Sequence, residues 1–267
     1  MPFVRRPPDL KSLPRPVFAR SESLPADSAS RPHSHPWVQF SWASSGTLLV
    51  RTPASSHAAP PQQAIWVPPG LLHSVENAAP TEMRSLYIEP EVVAFAPQHC
   101  RVLAVTPLVR ELIQAVSTLP VLYATTGPEA RLVAVLLDQL ALLPEAGLSL
   151  PWPTDARLID ICQAIQSAPD DRRDMADWAR GSGMTERTLA RRFVRQTGLT
   201  FGRWRRRARL LAALAVLEGG GSVTHAALEC GYDAPSAFIA AFKEAFGVTP
   251  GEHIMRFAAK GSPRATL

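Results

Sequence analysis

Cysteine is scarce in this 267-residue chain, and its three copies (Cys100, Cys162, Cys230) are odd in number, far apart and in no close-spaced pair. Neither a disulfide framework nor a cysteine-held zinc is expected, and the chain reads as reduced and cytoplasmic. Long apolar runs are missing too. The nearest to one, Leu132–Leu143, is cut by Asp138 and Gln139, well short of the roughly 20 residues that span a bilayer, so no membrane partner is expected. Residues Met1 to Pro8 lack the apolar core of a secretory signal. No glycine pattern of a nucleophile elbow or a phosphate loop occurs. What is present is 46% hydrophobic residues, and the length suits two domains of roughly 100–200 residues, each with its own core.

Acidic residues are short in one part only. Residues 1–151 carry eleven Lys+Arg and eleven Asp+Glu, whereas 152–267 carry seventeen and twelve, so the whole net charge of +5 (28 − 23) sits in the second part. Between Trp178 and Arg209, ten arginines meet a single acid, Glu186. Such a cluster repels itself, and guanidinium forks suit phosphate and guanine edges, so an anionic partner is expected.

Residues 1–29 are rich in Pro, Ser and Arg and read as a flexible arm. Short β-type runs follow at 37–42, 47–50, 64–67 and 85–88, separated by Gly46, Pro53, Pro68-Pro69-Gly70 and Asn77. Their spacing predicts a barrel or sandwich over 30–100. Helical texture takes over at Pro107–Val116 and Pro128–Leu143, each opened by a proline. The second of these has two apolar stripes, Leu132/Leu136/Leu140/Leu143 and Val133/Leu137/Ala141. One is expected to meet the barrel and the other either a partner copy or more core. Residues 101–150 are thus read as a helical dimerisation segment and linker, with Pro144–Thr154 stiffened by proline. From Asp155 onward the pattern is helical.

That helical part repeats itself. Ala179, Gly183, Leu189, Phe193 and Gly198 recur as Ala227, Gly231, Phe238, Phe242 and Gly247, at offsets of 48 or 49 residues. Each copy reads as a short helix, a glycine turn and a longer helix stopped by glycine, which is a helix-turn-helix twice over. Thr185 and Ser222 are the expected N-caps. Between the copies Phe201, Trp204, Ala208, Leu211 and Ala215 step at helical spacing, leaving Arg203, Arg206 and Arg207 off the stripe. Such a helix can hold two recognition helices in successive major grooves, roughly 34 Å apart along the duplex. Arg203 and Arg206 join the candidate DNA contacts.

Residues 174–256 closely resemble the DNA-binding domain of the AraC/XylS transcriptional regulators. The matching residues are Trp178-Ala179, Gly183-Met184-Thr185, Thr188-Leu189, Arg192-Phe193, Gly198, Arg209 and Leu217, then Val223, Ala227, Gly231-Tyr232, Ser236-Ala237-Phe238, Ala241-Phe242-Lys243, Phe246-Gly247, Thr249-Pro250 and Arg256. The resemblance implies groove-facing positions at Arg187, Ala190 and Arg191 in the first unit, and at Pro235, Ser236, Ile239 and Ala240 in the second. Arg187 and Arg191, at i and i+4, can each grip a guanine for about 1–3 kcal/mol of discrimination. The second set offers no arginine, asparagine or glutamine, and Lys243 is limited to the backbone. The first unit is therefore expected to read sequence and the second to position the domain.

Histidines mark the N-terminal half: His33-x-His35-x3-Gln39-x6-Gly46, then Pro68-x-Gly70-x2-His73-x3-Asn77. Residues two apart on a strand point the same way, and His73, after a proline–glycine turn, can face them from another strand. Three imidazoles can hold Zn, Ni, Co or Cu at roughly 2.0–2.1 Å. These stretches resemble the paired motifs of the cupin superfamily. The stretch from His33 to Tyr87, with its opening His33-x-His35-Pro36-Trp37-x-Gln39, resembles a subgroup of AraC-type effector domains that often controls efflux transporter genes. Gln39 stands where metal-binding cupins carry glutamate, and Asp27 and Gln62 replace glycines expected before His33 and Pro68. A neutral amide cannot complete a two-histidine-one-carboxylate iron site, which argues against an oxygenase. The effector-binding set is thus His33, His35, Gln39 and His73, and the metal set is His33, His35 and His73. Histidines bonding one another, water or an organic effector without metal is the alternative.

These readings give an α+β chain of two domains, an N-terminal cupin-like β-barrel with flanking helices and a C-terminal all-α double helix-turn-helix over 155–258. The expected function is a sequence-specific, non-enzymatic transcription regulator. It binds promoter DNA as a homodimer, answers to a small-molecule or metal effector and controls an efflux or transport gene, with RNA polymerase a further candidate partner. The alternatives are a metal-dependent cupin enzyme tethered to DNA and a nonspecific architectural DNA binder.

Overall fold

The computed structural model describes residues 3–8, 10–93, 97–146 and 148–261, which fall into two compact units. The first takes in the chain up to Thr52 and again from His57 to the loop after its second helix. The second takes in Pro53–Ser56 and everything described from Leu148 onward.

Alternation along the strands builds the first unit. One sheet is antiparallel, in the order β10 (Arg101–Ala104), β7 (Gln63–Val67), β4 (Val38–Ser45), β9 (Thr81–Ile88), β2 (Val17–Leu24). The other runs β1 (Phe3–Arg5), β3 (Ser28–Ser30), β8 (Ser74–Asn77), β5 (Leu48–Arg51), β6 (Ser55–Ala59), with β1 joined to β3 in parallel. Val38, Phe40 and Trp42 of β4 turn outward onto α1 (Pro107–Ser117) and α2 (Pro128–Ala141), clustering with Val109, Ile113, Leu136 and Leu140. Ala43, from the opposite face of β4, packs with Leu48, Val50, Ile65, Val67, Val75 and Met83 between the sheets. Each large side chain so buried contributes about 1.5–3 kcal/mol.

The flexible arm expected over 1–29 is overturned, because half of its described residues are strand. β2 pairs along its whole length with β9, Val17 opposite Ile88 through Leu24 opposite Thr81. The prolines at 7, 8, 14, 16 and 25 disguise a strand whose middle is polar: only its two ends, Val17 and Leu24, are buried. Two further strands fall in the stretch read as helical segment and linker. One is β10, which closes on β7; the other is β11 (Leu148–Pro151), with Leu148 and Leu150 buried. On α2, Val133, Leu136 and Leu140 share one buried face, Leu132 and Leu137 flank it half-buried, and Val135 (45%) stands exposed.

The second unit is helical after β11: α3 (Ala156–Ser167), α4 (Met175–Gly181), α5 (Glu186–Thr197), α6 (Phe201–Glu218), α7 (Val223–Glu229), α8 (Pro235–Phe246) and α9 (Pro250–Gly261). Leu189 and Phe193 on α5 pack with Trp178 and Ala179 on α4, and with Phe201 and Trp204 on α6. Thr185 and Ser222 accept from the backbone N–H of Thr188 and His225 at 3.2 and 3.1 Å, the caps the sequence calls for. Among the described residues no helix is long and apolar enough to cross a membrane.

The turn of the second copy depends on its glycine. Gly231 has φ 73°, and a Cβ there would lie 2.7 Å from Nη2 of Arg209. That guanidinium donates to the carbonyls of Pro169 (2.8 Å) and Asp171 (3.1 Å), lashing α6 to the loop before α4. Gly231→Ala therefore combines left-handed strain of about 1–2 kcal/mol with displacement of Arg209. Urea unfolding of the variant is expected to show a loss of at least that size; an unchanged midpoint would contradict it.

Candidate functional site

His33 and His35 lie on the extended segment between β3 and β4, and His73 lies just before β8. The N–H of His33 donates to the carbonyl of His73 and the reverse, both at 2.9 Å, so one antiparallel bridge brings two of the three side chains together. The Gly70 N–H donates to the carbonyl of His35 at 2.8 Å, and Gly70, at φ 74°, provides the turn that returns the chain to the cluster. Ring centroids stand 4.4 Å apart for His33–His73, 5.1 Å for His35–His73 and 5.9 Å for His33–His35. The sequence pairing of the two motifs is realised in space.

Each imidazole is oriented through its Nδ1. That atom donates to the carbonyl of Arg31 from His33 (2.9 Å), of Trp37 from His35 (2.8 Å) and of Leu71 from His73 (2.9 Å). In a neutral ring this leaves Nε2 a bare lone pair. Burial holds all three rings below the ordinary histidine range, His73 down to about 4, so they are neutral near pH 7. Gln39 on β4 commits its amide N–H to Ser41 Oγ (2.8 Å) and turns Oε1 to the Nε2 atoms of His35 (3.0 Å) and His73 (3.3 Å). Nε2 of His33 is buried without a hydrogen-bond partner. In this orientation of the Gln39 amide, its oxygen and the imidazole lone pairs face one another. The three histidines each offer a ligand atom within 4.8 Å of the others. Separations of 3.0–3.3 Å suit neighbouring ligands of an ion with bonds of about 2.0–2.1 Å, so the donor set fits a divalent transition metal. Backbone-oriented imidazoles are the usual outer shell of such a site.

Arg5 went unseen in the sequence, since it falls in the supposed arm. β1 places it opposite Ser30 on β3, and its side chain is 1% exposed. Its Nε and Nη2 donate to Glu22 Oε2 at 3.0 and 2.5 Å, and Nη2 also reaches Tyr87 Oη at 3.3 Å.

The DNA-facing candidates sort differently. Of the ten arginines between Trp178 and Arg209, six have intramolecular work. Arg180, Arg192 and Arg206 pair with Asp177, Asp155 and Glu244, and Arg205, Arg207 and Arg209 donate to backbone carbonyls. The guanidinium groups of Arg187, Arg191, Arg195 and Arg203 have no hydrogen bond or ion pair to another described residue. The first three sit at i, i+4 and i+8 of α5, all exposed. Arg195 was missed, although the same spacing would have found it. Arg206 reaches Glu244 at 2.6 Å with both side chains at least half exposed, a bond worth at most about 1 kcal/mol and cheaply exchanged for a phosphate. On α8, Ser236, Ile239, Ala240 and Lys243 are exposed, Pro235 is half-buried and Ala190 of α5 likewise.

Comparison with known proteins gives the same division. Residues 15–178 match the model of the AraC-like ligand binding domain, and 178–256 that of a helix-turn-helix domain. The chain is 34% identical over 238 residues to the HTH-type transcriptional regulator NimR of Escherichia coli (strain K12), covering 87% of each. This chain belongs to the AraC family of transcription regulators. As an AraC-family regulator it is also 34% identical over 101 residues to the HTH-type transcriptional regulator RipA of Corynebacterium glutamicum, covering 38% of this chain and 30% of that one. A crystal structure of ToxT from Vibrio cholerae aligns with 91% of this chain and 99% of its own, at 10% identity and a TM-score of 0.39. The AraC-family regulator thus joins an effector-binding domain to a DNA-binding one, and its relatives are named as regulators rather than enzymes.

Proposed function

We propose that this AraC-family regulator responds at the histidine cluster of its barrel, where His33, His35 and His73 hold a divalent transition ion (Zn, Ni, Co or Cu) with Gln39 beside it. The ion is either the effector itself or the anchor for one. The observation that carries this is the locking of all three Nδ1 atoms onto backbone carbonyls, which leaves three lone pairs and the Gln39 oxygen turned toward one another. Such an ion supplies concentrated positive charge and open coordination positions. Elemental analysis with native mass spectrometry of the purified protein tests it. About one ion per chain supports the reading, and a protein that neither retains metal nor takes up added Co(II) overturns it.

Gln39 gives a second check. Gln39→Glu places a carboxylate at a fully buried position. Without metal that charge destabilises the barrel; with metal it becomes a stronger ligand. Co(II) affinity is expected to rise about tenfold (1.4 kcal/mol), and the melting temperature to fall in EDTA but recover on adding Co(II). A melting temperature indifferent to metal would contradict the assignment.

At the other end of the chain, α5 reads the operator through Arg187 and Arg191, and α8 seats the domain on the backbone through Ser236 and Lys243. Val135 (45% exposed) and Leu142 (74% exposed) in and just after α2 support a homodimer, which native mass spectrometry reads directly. The resemblance of the His33–Tyr87 stretch to the efflux-controlling subgroup makes an efflux or transport gene the expected target.

A further inference from the structure

The ligand of the barrel can be narrowed from a second set of atoms. Arg5 spends Nε and Nη2 on Glu22 and Tyr87, but its Nη1 is buried with no hydrogen-bond partner, and so is Nε1 of Trp37. Both are donors, and one carries a full charge. Leaving a buried charged donor unmet costs more than leaving a neutral one, so the arrangement is suited to an acceptor brought in from outside.

Both side chains are linked to the histidine cluster, Trp37 directly and Arg5 through Tyr87. Arg5 Nη2 lies 3.3 Å from Tyr87 Oη. The Tyr87 ring stands edge-on to His35 at 6.0 Å and to Trp37 at 6.3 Å. Trp37 stacks on His35 at 5.4 Å with 10° between the planes. The same neighbourhood is apolar: Leu13, Trp37 and Tyr87 form a buried cluster against which Leu10 and Phe18 pack.

From this geometry we infer that the effector is a small carboxylate with an apolar or aromatic body, its carboxylate accepting from Arg5 Nη1 and its body lying against Trp37 and Tyr87. Arg5 is then a specificity-determining residue: it selects a negatively charged head, and the apolar cluster selects what the head is attached to. Glu22 does not cancel the arginine, since it is shared with Arg20 at 2.8 Å. The inference rests on the barrel cluster being the effector site, but not on the presence of metal.

Benzoate is the probe and benzamide its neutral counterpart, titrated calorimetrically into the full chain as purified and after dialysis against EDTA. Benzoate is expected to bind at least tenfold more tightly than benzamide in both forms. Arg5→Met, which leaves Glu22 paired with Arg20, is expected to remove that preference while circular dichroism and Co(II) stoichiometry stay unchanged. Equal affinity for the two probes, loss of the preference on EDTA treatment, or a preference that survives in folded Arg5→Met overturns the inference. Should Arg5→Met not fold, the benzoate-to-benzamide ratio of the EDTA-treated wild-type protein decides. Co(II) uptake, read on the same samples, reports separately on the metal assignment.

Discussion

Alanine at both Arg187 and Arg191 is expected to lower affinity for a preferred duplex by about 2–6 kcal/mol, at about 1–3 kcal/mol for each guanine contact. Duplexes selected in vitro from a random library supply the target, and a gel-shift titration supplies the constants. Both arginines are exposed and neither is held by another described residue, so nothing intramolecular is lost with them and the effect reports on DNA alone. Selectivity should fall with affinity. Lys243→Ala should instead weaken binding to all sequences alike and lower the salt slope by about one. If the double variant discriminates among duplexes as wild type does, α5 is not the reader. If wild type itself shows no preference, the protein is an architectural binder.

His73→Ala is expected to be the most damaging single change to the barrel site. His73 is 1% exposed, anchored through Nδ1 to Leu71, and the only one of the three histidines in the second motif. Altering groups that merely support a ligand costs roughly 10–100-fold in metal affinity, so deleting a ligand should exceed that range. The fold should survive, because the strand pairing at 33 and 73 uses backbone atoms and the lost side-chain bond is worth about 1 kcal/mol. Co(II) absorption, with a melting curve on the same sample, separates the two effects. Undiminished Co(II) binding by the folded variant would remove His73 from the site.

The DNA-binding half was legible because its signals are local and repeated. Helical spacing, glycine turns and caps at Thr185 and Ser222 each act within a few residues, and a duplicated unit states them twice. The strands β4, β7 and β9 were legible for a related reason: each carries a short run of aromatic and β-branched or other apolar residues, Val38/Phe40/Trp42, Ile65-Trp66-Val67 and Leu86-Tyr87-Ile88, bounded by turn residues. What stayed hidden is non-local. β1, β2 and β3 are short or polar, set among prolines, and become strands through pairing, β2 with β9, β3 with β8 and β1 with β3. Arg5 was lost with them, since only the finished sheet buries it beside Tyr87. The three histidines were found because the motifs are distinctive, yet the carbonyls that orient them come from Arg31, Trp37 and Leu71, whose identities carry no such signal. The arginine surplus was visible at once. Its division into structural and free members depended on tertiary contacts, such as Arg209 with the carbonyls of Pro169 and Asp171.

One detail of chain routing bears on how the protein can be dissected. Pro53–Ser56 belongs to the second unit, where the Ala54 carbonyl accepts from the backbone of Trp152 at 2.8 Å and Ser56 Oγ from its indole at 3.1 Å. A fragment begun at Leu148 would leave behind this borrowed peptide and both partners of Trp152, although Trp204 would keep its bond to Pro151. Clipping the polypeptide once therefore yields an incomplete module. A fragment meant to hold the second unit whole must therefore carry Pro53–Ser56 as well as the chain from Leu148 onward.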